Sequence, residues 1–246
     1  MLMAAPWPRS DSGSRPRHGP GVETSLSSPT MKRKIIQGLE CRWEVAAGWE
    51  EPLGVWVPVD QDSLLAELEG DTFERTDEKM PYFATLWPTA HRLARKVAKG
   101  PSLEGLRVLD LGCGVGLVGL AAARQGAHVT FLDWESRALA LVDDAARENG
   151  LHVERMVAAD WRDPPDLPLF DVILAADVLY ETRNLKPVGE FIRTHLAPGG
   201  TAWVADPGRP QARGFPVAAR ESGLEVEVTE EDGRPTFRIT PAEPAP

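Results

Sequence analysis

The chain has 246 residues, 42% of them hydrophobic and 26% charged, with a formal net charge of −10; that suits one domain with a packed core plus some extra chain. The negative charge repels phosphate backbones, and no Lys/Arg run is long enough to offset it, so nucleic acid is disfavoured as a partner. No apolar run approaches the roughly 20 residues that span a bilayer and no signal-peptide core opens the chain, while two cysteines, Cys41 and Cys113, make neither a metal pair nor a disulfide framework, so a cytoplasmic protein without a membrane partner is expected.

Residues 1–30 are rich in Pro, Ser, Gly and Arg and lack a hydrophobic period, so they read as a disordered leader. Patterned sequence begins at Met31, an alternative start of translation. Residues 31–80 form an extension with short β-like runs at Trp43–Val45 and Val55–Val57, turns at Gly48 and Pro52-Leu53-Gly54, and a helix over 62–69 capped by Asp60 or Asp62. Residues 81–246 then form the main domain. A helix over 82–99 carries Leu86, Ala90, Leu93, Ala94 and Val97 on one face, although Pro88 fits a first turn and could be its true start. Strands are predicted at Arg107–Leu111, His128–Asp133, 153–157, Phe170–Ala176 and Thr201–Ala205. Helices are predicted at 116–125, 135–149, 184–196 and 210–222. Leu224–Thr229 and Thr236–Ile239 pair through an Asp232-Gly233 turn. This alternation predicts an α/β fold, a mostly parallel sheet covered on both faces, with one antiparallel strand from the final hairpin.

The segment from Val108 to Gly116 runs from a strand into a helix. Gly112, Gly114 and Gly116 allow a tight turn and close backbone approach to a ligand, with Cys113 between the first two. The spacing is G-x-G-x-G, whereas a dinucleotide fingerprint needs a third glycine where Leu117 stands. Asp110 precedes the loop. An anion there opposes a pyrophosphate and favours a cationic amino group, which argues for S-adenosyl-L-methionine over NAD. Asp133 ends the next strand, where an acid accepts ribose hydroxyls; its plainer role is capping the helix at 135–149. Asp160 can accept from an adenine amino group or simply make a turn, and Trp161 can stack on the base or cover the core edge. The histidines show no metal spacing, so no metal is expected.

Together these residues resemble the motifs of class I S-adenosylmethionine-dependent methyltransferases over about 105–240. Pro81-Tyr82-Phe83-Ala84-Thr85-Leu86-Trp87-Pro88 and Asp177-Val178-Leu179-Tyr180 resemble signatures of the protein lysine methyltransferases formerly grouped as methyltransferase family 16. Asp206-Pro207-Gly208-Arg209-Pro210 is similar to a stretch in the branch that methylates the electron transfer flavoprotein β subunit. Phe83 departs from the commoner Trp, and Trp134 follows the ribose acid where a small or aliphatic residue is more usual. The resemblance implies a Rossmann-like seven-stranded sheet with its last strand antiparallel and a protein substrate, with that β subunit as a candidate. It implies catalytic roles for Asp177 and Tyr180, and a cofactor site of Trp87, Asp110, Gly112, Cys113, Gly114, Gly116, Asp133, Trp134, Asp160, Trp161 and Ala176.

A lysine amine with a pKa near 10.4 is mostly protonated and a poor nucleophile. Asp177, at a strand end facing the crevice, can dock and orient that ammonium or pass its proton to water, while Tyr180 can wall the transfer channel. Plainer roles are a strand-end cap and a core-edge aromatic. Trp87 either lids the cofactor or packs its helix, and Arg209 reads as a solvated charge unless the resemblance holds. A small-molecule N-methyltransferase is the main alternative. A nucleotide methyltransferase is less consistent with Asp177–Tyr180, and a binding-only scaffold would take up the cofactor without turnover. If the leader carries no core, a chain beginning at Met31 keeps its melting temperature and cofactor affinity. A loss of several degrees on scanning calorimetry would show that the leader packs on the domain.

Overall fold

The computed structural model describes residues 32–46, 52–66 and 80–242, which all fall in one compact unit, 31–246. The leader, Gly48 and the end of the expected 62–69 helix lie outside the described residues.

Strands β1 (Arg33–Ile36), β2 (Leu39–Ala46) and β3 (Leu53–Pro58) form a separate antiparallel sheet in the order β1-β2-β3. Gln37 and Gly38 join β1 to β2 with φ of 48° and 80°, the left-handed pair that a tight hairpin needs. Gly54 lies within β3 rather than in the expected turn. A Cβ there would come within 2.1 Å of the Trp43 ring, so glycine lets that indole lie flat across the strand. Helix α1 (Gln61–Ala66) follows, and Asp60 Oδ1 accepts from the Ser63 amide at 3.1 Å, which settles the cap on Asp60.

The helix expected over 82–99 is two elements. Tyr82–Ala84 form a 3₁₀ turn, and helix α2 begins at Pro88 and ends at Lys99. Proline at the first helical position has no amide to leave unpaired, and it holds Trp87 in extended backbone. Then come β4 (Arg107–Leu111), α3 (Leu117–Arg124), β5 (His128–Asp133), α4 (Ser136–Asn149), β6 (Arg155–Ala158) and β7 (Phe170–Ala176). They are followed by α5 (Leu185–His195), β8 (Leu196–Ala205), α6 (Phe215–Glu221), β9 (Leu224–Glu231) and β10 (Arg234–Pro241). β8 starts earlier than expected, because Pro198-Gly199-Gly200 is absorbed into the strand. The expected 210–222 helix opens with a 3₁₀ stretch at Pro210–Gly214.

The main sheet has seven strands in the order β6-β5-β4-β7-β8-β10-β9. β4 to β8 are parallel where they pair, and β10 runs antiparallel to both β8 and β9. Asp232 and Gly233 turn the last hairpin at φ of 52° and 71°. This is the Rossmann-like architecture that the alternation predicts, with its antiparallel strand. Each strand splits its side chains between two cores, as a period of two requires. Val108, Val129 and Phe131 face α2, α3, α4 and the small sheet, whereas Leu109, Leu111 and Leu132 face α5 and α6. The small sheet is tied to α4 by Asn149, whose Nδ2 donates to Gly54 O at 2.8 Å while its Oδ1 accepts from the Gly54 amide at 3.1 Å.

Helix α3 is buried almost all round, and Gly119 sits where it crosses β4 and β5. A Cβ at Gly119 would meet Phe131 Cε1 at 2.3 Å and Asp110 Oδ2 at 2.9 Å. Gly→Ala in an exposed helix gains about 1 kcal/mol. Gly119→Ala has the opposite sign and costs about 1–3 kcal/mol through overpacking, read as a fall in urea midpoint at unchanged slope.

Candidate cofactor and acceptor site

Four strand ends build the site. After β4, Gly112 (φ 65°) and Gly114 (φ 50°) turn the chain into α3. A Cβ at Gly112 would lie 2.9 Å from Val178 and 3.1 Å from Trp161, so the loop fits only with glycine there. Gly116, expected in the cofactor site, is not among the residues lining the cleft, and a Cβ there would strike Val142 Cγ2 at 2.5 Å. Its missing side chain serves the packing of α3 on α4.

Asp110 is buried, and its Oδ2 accepts from the Gly119 amide at 2.8 Å. Burial pushes its pKa up to about 8, partly offset by that amide and reinforced by Asp133. Asp133 ends β5. Its Oδ2 accepts from Gly114 N at 2.9 Å and its Oδ1 from Glu135 N at 3.0 Å, which ties the glycine loop to the start of α4. Burial raises its pKa to about 6 against those two amides. Glu135, not Asp133, caps α4, accepting from Arg137 N. An ionised carboxylate offers about four acceptor sites, so Asp133 keeps lone pairs for a ribose diol.

One cleft brings together Trp87, Asp110, Gly112, Cys113, Gly114, Asp133, Trp134, Trp161, Ala176, Asp177 and Tyr180. Cys113 has its thiol pKa pushed well up, first by burial and then by Asp133 and Asp110, so it behaves as an inert wall. Trp161 presents a buried indole Nε1 with no partner among the described residues. Trp134 stands at the rim, 42% exposed. Asp160 falls outside this cleft, in an adjoining rim pocket with Trp134 and Trp161. Its two carboxylate oxygens accept from the Arg162 guanidinium at 2.6–3.0 Å. Burial works to raise its pKa, but Arg162 outweighs that and holds it low. An adenine contact through Asp160 would first have to displace Arg162.

Asp177 follows β7 at φ 64°, a left-handed conformation rare outside glycine. Its amide donates to Ala205 O at 3.0 Å, its Oδ1 accepts from Arg209 Nη1 at 2.8 Å, and its Oδ2 is buried with no partner among the described residues. Tyr180 packs against Tyr82 with ring centroids 5.0 Å apart, and Tyr82 lies 6.3 Å from Trp87. Trp87 Nε1 donates to Tyr82 O at 3.0 Å, so the 81–88 segment folds back as an aromatic wall. The Tyr180 hydroxyl has its pKa pushed up to about 12, mainly by burial, so it stays protonated. Sequence reasoning undervalued Arg209 and passed over Gln211, which lines the same cleft and donates to Tyr180 O at 2.7 Å. The missed signal was Asp206 three residues before Arg209.

Fold, glycine loop and strand-end acids together are those of the Rossmann-like methyltransferase fold. Residues 109–202 match the family model described as a methyltransferase domain. The chain is 34% identical over 139 residues to a ubiquinone biosynthesis O-methyltransferase of Agrobacterium fabrum, covering 56% of this chain and 52% of that one. It is 32% identical over 109 residues to a histidine protein methyltransferase 1 homolog of Dictyostelium discoideum, covering 42% and 35%. The chain thus spans about half the length, or less, of these curated relatives. Magnesium protoporphyrin IX methyltransferase from Synechocystis, solved with bound S-adenosylmethionine, shares the fold at a TM-score of 0.53 and 15% identity, over 75% of this chain and 98% of that one. S-adenosyl-L-methionine is the cofactor of this domain type. The residues present fit it: free lone pairs on Asp133, a loop too tight for any side chain at Gly112, and Asp110 beside it.

The buried acids set a pH dependence. The unfolded Asp value is about 3.9, below the folded values of about 8 for Asp110 and about 6 for Asp133. The folded chain therefore holds more protons than the unfolded chain within that range, and stability falls as pH rises. Between pH 6 and 8 the ligand-free protein should lose up to about 1.4 kcal/mol per pH unit. Asp110→Asn keeps an acceptor for Gly119 and should flatten that slope in urea titrations.

Proposed function

We propose that the protein is an S-adenosylmethionine-dependent methyltransferase acting on an amine, most consistently the ε-amine of a lysine in a protein. One observation carries the acceptor class. Asp177 Oδ2 is buried, has no partner among the described residues, and belongs to a residue lining the cleft with the glycine loop and with Tyr82, Trp87 and Tyr180. A buried carboxylate oxygen without a donor costs free energy unless something donates to it, and an alkylammonium has three N–H groups.

When bound, the cofactor supplies a methyl group on a cationic sulfur. Asp133 would hold it through its remaining lone pairs, with Gly112 and Gly114 letting the backbone approach. Asp177 orients the ammonium and can take its proton at Oδ2 for release to water. Tyr82, Trp87 and Tyr180 keep water away and leave room for an aliphatic stem, as suits a nucleophile that must shed its hydration. The negative net charge favours a basic partner, and the Pro81–Pro88 and Asp177–Tyr180 segments resemble the lysine-methylating enzymes. The electron transfer flavoprotein β subunit is the first protein to test. A small-molecule acceptor is the second reading, since the relatives include ubiquinone biosynthesis O-methyltransferases.

Charge-assisted docking is worth about 1.5–3 kcal/mol per hydrogen bond, and ~1.4 kcal/mol is a factor of ten in rate. Asp177→Asn and Asp177→Ala should lower turnover by about ten- to a hundredfold while calorimetric affinity for S-adenosylhomocysteine stays within about twofold. Methyl-labelled cofactor is supplied with a lysate and with purified flavoprotein. Label confined to small molecules or RNA would defeat the protein acceptor, and full activity in both variants would defeat the role of Asp177.

A further inference from the structure

We propose that Arg209 is the positioning residue of the acceptor site: it clamps one oxygen of Asp177 to buried Asp206 and so presents the other, Oδ2, to the incoming amine. The inference rests on the amine reading above. The clamp is built from both ends. Asp206 is 0% exposed, and its Oδ1 accepts from the amides of Gly208 and Arg209 at 2.8 and 2.7 Å. Its Oδ2 accepts from Arg209 Nη1 at 3.0 Å, and the same Nη1 donates to Asp177 Oδ1 at 2.8 Å. Backbone and guanidinium of Arg209 thus grip one carboxylate, which fixes where the second carboxylate can be held.

The loop cannot retreat. Gly208 lies at φ 100°, and a Cβ there would meet Gly233 O at 2.4 Å, so the loop is pressed against the β9–β10 turn. Arg92 of α2 pins both partners, donating to Asp206 O at 2.8 Å, Pro235 O at 3.1 Å and Arg234 O at 2.6 Å. Trp87 stands near the guanidinium, its ring centre 5.9 Å from Cζ. Among the described residues, Arg209 donates to both carboxylates, while the hydrogen bonds of Arg92 go to carbonyls. The carboxylate oxygen of the pair left without a partner among them is Asp177 Oδ2.

The charged and polar groups facing Asp177 are Arg209 and Asp206 from the loop after β8, and Thr89 and Arg92 from α2. Burial raises the Asp177 pKa, with Asp206 adding to the rise; Arg209 is the largest opposing influence, and Thr89 assists it. Losing Arg209 removes the main support for the ionised form, so the carboxyl should stay protonated to higher pH and stop accepting from an ammonium.

The test follows the Asp177 side-chain carboxyl by carbon NMR in the full chain with ¹³C-labelled aspartate, the signal being assigned by its loss in Asp177→Asn. Arg209→Gln should raise its titration midpoint by about 1–3 pH units, and Arg209→Lys should restore part of the shift, since a point charge replaces a fork. Butylammonium, added to protein saturated with S-adenosylhomocysteine, is the amine probe, with butanol as the neutral control. At a pH between the two midpoints, Arg209→Gln should bind the probe about tenfold more weakly for each unit by which the pH lies below the variant's midpoint, and the deficit should close at higher pH. An unchanged Asp177 midpoint in Arg209→Gln overturns the proposal. A midpoint that moves with Arg209 while neither midpoint nor signal responds to butylammonium supports the clamp and overturns the amine reading instead.

Discussion

Strands β4 and β7 are hydrogen-bonded neighbours whose onward connections leave in opposite directions, β4 through α3 towards β5 and β7 through α5 towards β8. The two helices pack on opposite faces of the sheet, so the carboxyl ends of this strand pair are left open between them. The acids and the glycine loop lie at or just past strand ends, whereas Tyr82 and Trp87 reach the crevice from the segment before α2. Asp110 and Gly112 come from β4, Asp133 from β5, Asp177 from β7, and Asp206 with Arg209 from β8. The chemistry is local to these strand ends because the winding opens a crevice there.

That carboxyl edge of the sheet is unusual in charge. Asp110, Asp133, Asp177 and Asp206 are all buried. Backbone amides support three of them, through Gly119, through Gly114 and Glu135, and through Gly208 and Arg209. Asp177 alone relies on side chains. Amides are fixed dipoles that stabilise a carboxylate without neutralising it, so above the Asp133 value of about 6 the edge carries negative charge inside a low-dielectric wall, even while Asp110, raised to about 8, keeps its proton. A cofactor with a cationic sulfur and an amino group, and an acceptor that arrives as an ammonium, both relieve that potential. The same arrangement does not suit a pyrophosphate.

The strands from β4 to β7 could be read from residue order because each is a short apolar run bounded by glycine, proline or a charged turn. The glycine loop and its flanking acids were legible for the same reason: their roles depend on position along a single strand–helix unit. Other features depended on distant contacts. Gly116 looks like its neighbours in sequence, and only the approach of Val142 shows that it serves packing. Asp160 has the right position for a base contact, but Arg162 two residues on occupies it. The Gln37–Gly38 turn was hidden because glutamine rarely adopts a positive φ. Arg209 had no visible purpose until β8 and β7 were laid side by side, which puts Asp177 beside Asp206.

The outermost strand carries a further consequence. β9 lies at the edge of the sheet with Glu225, Glu227, Glu230 and Glu231 along its eight residues. An edge of that length exposes a row of unpaired amides and carbonyls, a template on which another chain can grow a sheet. Any second copy docking edge to edge brings glutamate towards glutamate, and the repulsion falls on the approach rather than on the folded monomer. Self-association through this strand is thus discouraged by charge repulsion along its length.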